Sequence, residues 1–344
     1  MDMEAHEIEP FGYKEAHEAA DFIGEEADKT GLALPKISIT LGSGCRTFAE
    51  RYTSEGSRLV IPTKKIPHFP IPKTAAAGHD GNLIIAPIND DPRETMAIWA
   101  GRVHFYQTIL RRCDETLEKI TDPEVRKAAI VFYVAICRAM GVNDILTSNA
   151  VGSVNPDIHQ KGDIVRVSDH ILDPDDDFGV PEDSRWFDEK KDQNPNYEYQ
   201  LEDYFYGQGN LYSEEIHALA REVAAEMCMD LKEGVLHWRK GRGYESPTMS
   251  RAIRTKGADL AAMSTAPEAQ KARTVGYSNK PGERHFAAFS SVTNVAQLHH
   301  GQLLQHGEVT EEGNKSEDRF NPFMYKLIQK IIRARALRQT QIEK

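Results

Sequence analysis

The sequence predicts an α/β fold, and three observations lead to this prediction. Short apolar runs with strand character alternate along the chain with segments whose apolar residues repeat at helical spacing. Several predicted strands run directly into small and polar residues, as strands often do at the functional edge of an α/β sheet. The 344 residues are 40% hydrophobic and 28% charged, which is typical of a soluble globular protein. α/β folds of this length are often single domains.

Capping residues and apolar periodicity predict the main helices. Asp122 and Pro123 supply an N-cap and a first helical residue, and Gly141 ends the helix that they begin. Ser213 caps a helix whose apolar residues keep helical spacing. The predicted helices cover about residues 13–31, 123–140, the segment after Ser213, and about 322–338.

The predicted strands are short and bounded by turn residues. The stretch Asn89–Arg93 is rich in turn formers and is expected to separate two strands. The predicted strands are Ile37–Leu41, Leu83–Ile88, Met96–Trp99, Asp144–Ser148, Asp163–Ser168, Val235–Trp238, Leu260–Met263 and Phe286–Val292.

Charge and cysteine content narrow the class of protein. The chain has 42 Lys+Arg and 53 Asp+Glu residues, a net charge of −11, so it lacks the basic surface expected of a nucleic-acid or anionic-membrane binder. The longest apolar run, Ala128–Cys137, is too short to cross a bilayer. Four widely spaced cysteines favour neither a disulfide framework nor a zinc ribbon. The acidic start of the chain does not resemble a signal peptide. We therefore expect a cytoplasmic protein with no nucleic-acid or membrane partner.

Residues 173–212 form an acidic stretch that is rich in Pro, Asn and aromatic residues. The simpler interpretation is a long surface insertion with its own aromatic anchors. The alternative is a lid or a subunit contact, because long loops in compact domains are either functional or mobile.

Polar motifs follow several predicted strands. Gly42-Ser43-Gly44 could offer backbone N–H groups and a hydroxyl to an anion, although such a sequence is more often a tight turn. It lacks the Gly-Lys-Ser/Thr ending of a P-loop and the further glycines of a dinucleotide-binding fingerprint. In an extended segment, Arg102, His104 and Tyr106 would share one face.

Two later segments each allow both a structural and a functional interpretation. Asn149–Asn155 ends a strand with small residues and could be an ordinary β-turn. Met263–Glu268 is typical of a strand, an N-cap and a helix start, with Pro267 and Glu268 in the first turn. The same segment could form an anion site from a hydroxyl and the helix N-terminus.

Together these segments closely resemble the trimeric purine nucleoside phosphorylases, over roughly residues 35–310. Eight short motifs in one order are more specific than any single motif. They are Gly42-Ser43-Gly44, Gly78-His79, Gly101 to Tyr106, Asn149 to Gly152, Tyr244-Glu245-Ser246, Met263 to Glu268, Thr293-Asn294, and His306-Gly-Glu-Val309. The resemblance implies one nucleoside phosphorylase-like domain over residues 1–344, with a central mixed, twisted β-sheet surrounded by helices. It also implies surface insertions at about 183–203 and 278–283.

The resemblance further implies a role for each matching residue. Phosphate binding falls to Ser43, His79, Arg102, His104, the backbone at Ala150, and Ser264. The ribose would lie against Tyr106, Tyr244 and Met263, with His306 at its 5′-hydroxyl, and the purine would be held by Glu245 and Asn294. Asn294, Glu245 and His104 are the implied catalytic residues. Phe178 is the candidate for an aromatic residue contributed by a neighbouring subunit.

The implied reaction is phosphorolysis of 6-oxopurine nucleosides (inosine, guanosine and their deoxy forms) to a free base and (deoxy)ribose 1-phosphate, as in purine salvage. Such an enzyme would be a homotrimer that needs no metal or organic cofactor, with inorganic phosphate as co-substrate. The sequence departs from the family at Gln107, Ser153, Arg242 and Val295.

The alternatives are two other functions and a metal site. A methylthioadenosine phosphorylase would be expected to carry aspartate in place of Asn294. A catalytically idle nucleoside-binding relative is disfavoured because the set Arg102, His104, Glu245 and Asn294 is intact. A metal site at His299, His300 and His306 is disfavoured because no cysteine or helical histidine pair accompanies them.

Overall fold

The structure is a computed structural model that describes residues 11–42, 47–73, 81–113, 116–173, 176–178, 207–295 and 306–342. In these ranges the chain forms seven α-helices, and none of them is both long and apolar enough to cross a membrane. The helices are α1 (Tyr13–Thr30), α2 (Phe48–Tyr52), α3 (Pro123–Ala139), α4 (Glu214–Glu226), α5 (Pro247–Thr255), α6 (Ala266–Thr274) and α7 (His306–Ile342).

The described strands form a large sheet and a small one. The strands are β1 (Ile37–Leu41), β2 (Leu59–Pro62), β3 (Ile71–Pro72), β4 (Asn82–Ile88), β5 (Asp91–Ala100), β6 (Ile109–Cys113), β7 (Thr116–Lys119), β8 (Asp144–Ser153), β9 (Ile164–Ile171), β10 (Leu231–Trp238), β11 (Leu260–Ala262) and β12 (His285–Val295). The large sheet has the order β11-β10-β9-β12-β8-β1-β5-β4-β2, and the small sheet has the order β3-β6-β7.

The large sheet is mixed, as the resemblance implied. β1 lies parallel to β5 and β8, so that Ile39 is opposite both Ile98 and Leu146. β8 also runs parallel to β12, and its last residues pair antiparallel with β11. Because β12, β9, β10 and β11 pair in succession, these four strands and β8 form a closed ring. The carboxyl ends of β5, β8 and β12 therefore meet on one side of the molecule.

Capping and turn-forming residues account for several ends of the helices and strands. Asp122 accepts hydrogen bonds from the N–H groups of Glu124 and Val125 and so caps α3, as predicted. The Ser213 hydroxyl accepts from the N–H of Ile216 at the start of α4. The turn between β4 and β5 places Asn89 and Asp90 at positive φ, 52° and 62°, which these two residue types tolerate.

The core lies on both faces of the large sheet. On one face, α1, α3 and α6 bury apolar side chains against the strands; on the other, α2, α4 and α7 do so. The Phe323 ring of α7 lies 5.4 Å from the Phe289 ring of β12, centroid to centroid. This two-sided cover fixes the sheet edge at which the polar motifs gather.

Several predicted boundaries of strands and helices are wrong. β5 begins at Asp91 rather than Met96, and β10 begins at Leu231 rather than Val235. β8 does not end in a turn at Asn149 but continues to Ser153, because its last residues still pair with β12 and β11. The last helix begins at His306 rather than near Pro322, which lies inside it. Proline removes one helical hydrogen bond, yet the flanking Phe320 and Phe323 are buried on the sheet, and this packing keeps the helix continuous.

One of the two predicted insertions lies within the described residues. The insertion at about 183–203 lies outside the described residues. The stretch 278–283 forms a loop between α6 and β12, in which the N–H of Ser278 donates to the carbonyl of Arg284 at 2.8 Å.

Candidate active site

One pocket at the carboxyl ends of the strands brings the predicted site residues together. In open α/β sheets this edge is the usual place for a ligand. The pocket is lined by Arg102, His104, Tyr106, Asn149, Ala150, Val151, Gly152, Tyr244, Glu245, Ala261, Ala262, Met263, Ser264, Thr293, Asn294 and Val309. Every predicted site residue with a described side chain is in this set, except Phe178.

Arg102 follows β5 and is the cation of this pocket. Its Nη1 donates to the carbonyl oxygen of Ser148 at 2.9 Å and lies 3.4 Å from the hydroxyl of Ser264. Its Nη2 donates to the hydroxyl of Thr147 at 2.6 Å. The guanidinium is thus fixed against the middle of β8, beside the segment that leads into α6.

Glu268 of α6 completes this arrangement, and the sequence reasoning missed its role. Its carboxylate lies 2.7 Å from the Nε of Arg102 and accepts a hydrogen bond from the Thr147 hydroxyl at 2.7 Å. The sequence assigned Glu268 only to the first helical turn, where the structure does place it. The available signal was its position in the segment Met263–Glu268, which already contained two site residues.

Gly42 has to be glycine because of a close backbone approach. A Cβ at this position would lie 2.6 Å from the carbonyl oxygen of Ser148 and 3.2 Å from Nη1 of Arg102. The N–H of Gly42 donates to the Ser148 hydroxyl at 3.1 Å. The next residue, Ser43, lies outside the described residues, as does His79.

His104 and Tyr106 reach the pocket from a turn, not from the extended segment that their alternation suggested. The N–H of Gln107 donates to the carbonyl of His104 at 3.0 Å, and the Gln107 side-chain oxygen accepts from the His104 N–H at 2.7 Å. The His104 and Tyr106 rings stack with centroids 5.1 Å apart. Arg126 of α3 holds the same turn by donating to the carbonyl oxygens of Phe105 and Gln107.

Ser264 and Thr265 form the link between β11 and α6. Thr265 has φ 79°, a conformation that is unfavourable for a β-branched residue and is held here by its surroundings. The predicted side-chain cap of the helix is absent at this residue. The link instead places Ser264 in the pocket lining, beside Arg102.

Asn294 and Glu245 supply further polar groups to the pocket lining. The pairing of β12 with β8 shifts register between Val292 and Asn294, and such a bulge re-aims a side chain. A Cβ on Gly152 would lie 2.8 Å from the Asn294 amide nitrogen, so glycine makes room for this amide. Burial raises the pKa of the Glu245 carboxyl, while its own backbone N–H and the Arg239 guanidinium act in the opposite direction.

Tyr106, Tyr244 and Met263 also line the pocket. Burial raises the pKa of both phenols, so both are neutral and amphipathic at neutral pH. His306 begins α7, whose Val309 also lines the pocket, but the His306 side chain lies outside the described part, as do His299 and His300. Among the side chains that are described, no group of three His, Cys, Asp or Glu residues could hold a metal ion.

The structure contradicts the assignment of Phe178 to a neighbouring subunit's pocket. Its side chain is 1% exposed, and its ring packs edge-on against Trp238 of the same chain at 5.0 Å. Its N–H donates to the side chain of Gln270 at 2.7 Å. The ring is therefore part of the core of its own chain and has no surface to offer a partner.

Comparison with known proteins identifies the class. The chain belongs to the phosphorylase superfamily, whose family model matches residues 122–329. That match contains most of the pocket, from Asn149 to Val309.

The individual relatives are purine nucleoside phosphorylases. Purine nucleoside phosphorylase 1 of Geobacillus stearothermophilus is 28% identical over 315 residues, which cover 91% of this chain and 96% of the relative. The enzyme of Mycobacterium leprae is 29% identical, covering 91% and 95%. The crystal structure of the Schistosoma mansoni enzyme in complex with adenosine has the same fold, with a TM-score of 0.70, 23% identity and coverage of 92% and 97%. The resemblance to purine nucleoside phosphorylases, its fold and its enzyme class are thus confirmed.

Proposed function

We propose that this protein catalyses the phosphorolysis of 6-oxopurine nucleosides, producing a free purine and a pentose 1-phosphate. The observation that carries the proposal is one pocket lined by two kinds of polar group. Arg102 and Ser264, which lie beside each other, are cationic and hydroxyl-bearing and are called the anion part here. Glu245 and Asn294 supply a carboxylate and an amide and are called the base part. Phosphate matches the first set of groups, and a purine edge matches the second.

The anion part suits a phosphate ion. Arg102 Nη1 and the Ser264 hydroxyl lie 3.4 Å apart, so one oxyanion could bond to both, and His104 and the backbone at Ala150 also line the pocket. Glu268 neutralises part of the Arg102 charge, but one Nη1 N–H makes the long 3.4 Å contact with the Ser264 hydroxyl, so a phosphate oxygen could take this donor. Ser43 and His79 are proposed as further phosphate ligands from the resemblance alone.

The reaction joins a phosphate oxygen to the anomeric carbon of the sugar while the glycosidic bond breaks. The electron pair of that bond leaves with the purine, which then takes up a proton, and the sugar passes through an oxocarbenium-like state. Holding phosphate under the anomeric carbon removes much of the entropic barrier. The Asn294 amide, aimed at the leaving base, stabilises the charge that develops there.

The base part favours a 6-oxopurine. A carboxylate at Glu245 accepts a hydrogen bond from the N1–H of inosine or guanosine. The Asn294 amide can donate to the 6-oxygen through its NH2 group, and its oxygen can accept from N7 once the leaving base has taken up a proton from solvent at that atom. An aspartate in place of Asn294 would be needed to accept from a 6-amino group, so methylthioadenosine is disfavoured as substrate.

Further parts of the proposal rest on the resemblance. They are a homotrimeric assembly, a cytoplasmic location in purine salvage, a 5′-hydroxyl contact from His306, and a reaction without metal or organic cofactor. Sedimentation of the active protein tests the first of these, and a fully active monomer would rule it out.

A panel of nucleosides assayed with and without phosphate tests the proposed activity. Inosine, guanosine and their deoxy forms should be cleaved only when phosphate is present, and adenosine and methylthioadenosine should be poor substrates. Cleavage at the same rate without phosphate would identify a hydrolase. Binding of inosine without turnover under either condition would identify an idle relative.

A further inference from the structure

The loop between β10 and the Glu245 side chain carries three cations, Arg239, Lys240 and Arg242, in a chain whose net charge is −11. Lys240 forms an ion pair with Asp176 at 2.6 Å, and Arg242 is exposed. Arg239 differs from both because its partner belongs to the pocket. Its Nε lies 3.8 Å from Oε1 of Glu245.

This ion pair lies in a partly buried setting. The Glu245 side chain is 7% exposed and that of Arg239 is 19% exposed. The attraction between opposite charges at this distance is stronger in such a place than at the surface, because less water screens it. Burial alone favours a protonated carboxyl, and a nearby cation favours the ionised form, so Arg239 opposes the effect of burial.

The protonation state of Glu245 decides which purine edge it matches. An ionised carboxylate only accepts hydrogen bonds, whereas a protonated carboxyl can also donate one. The N1 atom of a 6-oxopurine carries a hydrogen and needs an acceptor. The N1 atom of a 6-aminopurine carries none and needs a donor.

We propose that Arg239 is a specificity-determining residue, which holds Glu245 as a carboxylate and thereby selects nucleosides with an N1–H group. The inference rests on the proposed function, because it takes Glu245 as the residue that reads N1. Arg239 acts through Glu245 and is a positioning residue, not a catalytic one.

The other groups near Glu245 do not replace Arg239. Tyr244 precedes it in the chain, and across the pocket the titratable or charged side chains are Tyr106, His104 and Arg102. The phenols are neutral at neutral pH, and Arg102 is paired with Glu268. Arg239 is therefore the cation that acts directly on this carboxyl in the described part of the chain.

The test compares kcat/KM for adenosine and for inosine as a function of pH. Both reactions use phosphate, so the ratio of the two values cancels the titration of phosphate itself. The variants are Arg239→Met, which removes the charge, Arg239→Gln, a polar alternative, and Arg239→Lys, which keeps the charge. The matched control is Arg254→Met, which removes a cation of α5 that pairs with Asp157 instead.

In Arg239→Met and Arg239→Gln, the acidic limb of the inosine profile should move to higher pH by about one pH unit. Below that limb, the adenosine-to-inosine ratio should rise roughly tenfold relative to wild type. Arg239→Lys and Arg254→Met should retain the wild-type limb and ratio.

Two outcomes would overturn the proposal while leaving phosphorolysis intact. One is an Arg239→Met or Arg239→Gln profile that superimposes on wild type. The other is a shift in Arg239→Lys as large as that in Arg239→Met, because the charge would then not be the cause. Failure of the proposed function would look different: the wild type itself would cleave neither nucleoside in a phosphate-dependent way.

Discussion

Arg102 and Glu268 form a buried ion pair, with the Nε of Arg102 2.7 Å from Oε1 of Glu268 and the two side chains 2% and 4% exposed. The residues come from distant parts of the sequence, the end of β5 and the first turn of α6. Thr147 of β8 hydrogen-bonds to both partners. Three elements thus orient the Arg102 guanidinium in the proposed phosphate site.

Glu268→Gln should destabilise the protein and make its stability depend more on phosphate. The substitution leaves the Arg102 charge buried without its counter-ion, at a cost of about 3 kcal/mol in the free energy of unfolding. Bound phosphate should recover part of that loss by pairing with Arg102. Denaturant unfolding with and without phosphate measures both effects. The control Glu311→Gln removes the exposed partner of an exposed lysine, Lys315, and should change stability by less than about 1 kcal/mol. A Glu268→Gln protein as stable as wild type in phosphate-free buffer would contradict this account.

Arg102→Ala should weaken phosphate saturation more than nucleoside saturation. Loss of a charge-assisted hydrogen-bond donor costs about 1.5–3 kcal/mol, which corresponds to roughly a tenfold to hundredfold rise in the KM for phosphate. Arg102→Lys should recover only part of this, because an ammonium group lacks the planar fork that binds Ser148, Thr147 and an oxyanion together. Steady-state kinetics with each substrate varied separately measures the two KM values. Equal rises in the KM for phosphate and the KM for nucleoside would show that Arg102 is not a phosphate-binding residue.

Gly152→Ala should damage nucleoside turnover by displacing Asn294. The new methyl group would meet the Asn294 amide nitrogen at 2.8 Å, and the amide is the group free to move. A shift of that amide should lower kcat/KM for inosine by roughly tenfold to hundredfold, with little change in the KM for phosphate. Gly56→Ala is the matched control, because its Cβ would meet nothing within 4 Å. Wild-type kinetics in Gly152→Ala would show that the Asn294 position is not critical.

Asn294→Asp should narrow or reverse the preference for inosine over adenosine. Aspartate still accepts on the N7 side but presents a second acceptor to the 6-oxygen, a mismatch that costs about 1–3 kcal/mol. A 6-amino group would instead find a partner. The ratio of kcat/KM values for the two nucleosides measures the change. An unaltered ranking in the variant, or a wild type that cleaves adenosine as fast as inosine, would show that Asn294 does not read the base.

The sequence predicted those parts of the fold that rest on local signals. Asp122 and Ser213 cap their helices as predicted, through their own side chains. The turn predicted over Asn89–Arg93 is present but is confined to Asn89 and Asp90, because β5 already begins at Asp91. The start of α7 was missed because proline at position 322 is a local stop signal. The packing of Phe320 and Phe323, which overrides it, is a tertiary effect.

In the site, too, local motifs were predictable from the sequence and tertiary contacts were not. The order of the eight motifs identified residues that line the pocket. It did not identify the contacts that keep these residues in place. The Arg102–Glu268 pair joins elements far apart in sequence, and the crowding of Gly152 by Asn294 depends on the pairing of β8 with β12. Phe178 was misassigned because an aromatic residue beside an acidic insertion gives no indication of which side of the chain its ring faces.

The fate of labelled inorganic phosphate during inosine cleavage tests the central claim most directly. The account predicts that radiolabel enters ribose 1-phosphate in a one-to-one ratio with the hypoxanthine released, and that Arg102→Ala loses this transfer at low phosphate. Release of hypoxanthine together with free, unlabelled ribose would contradict phosphorolysis.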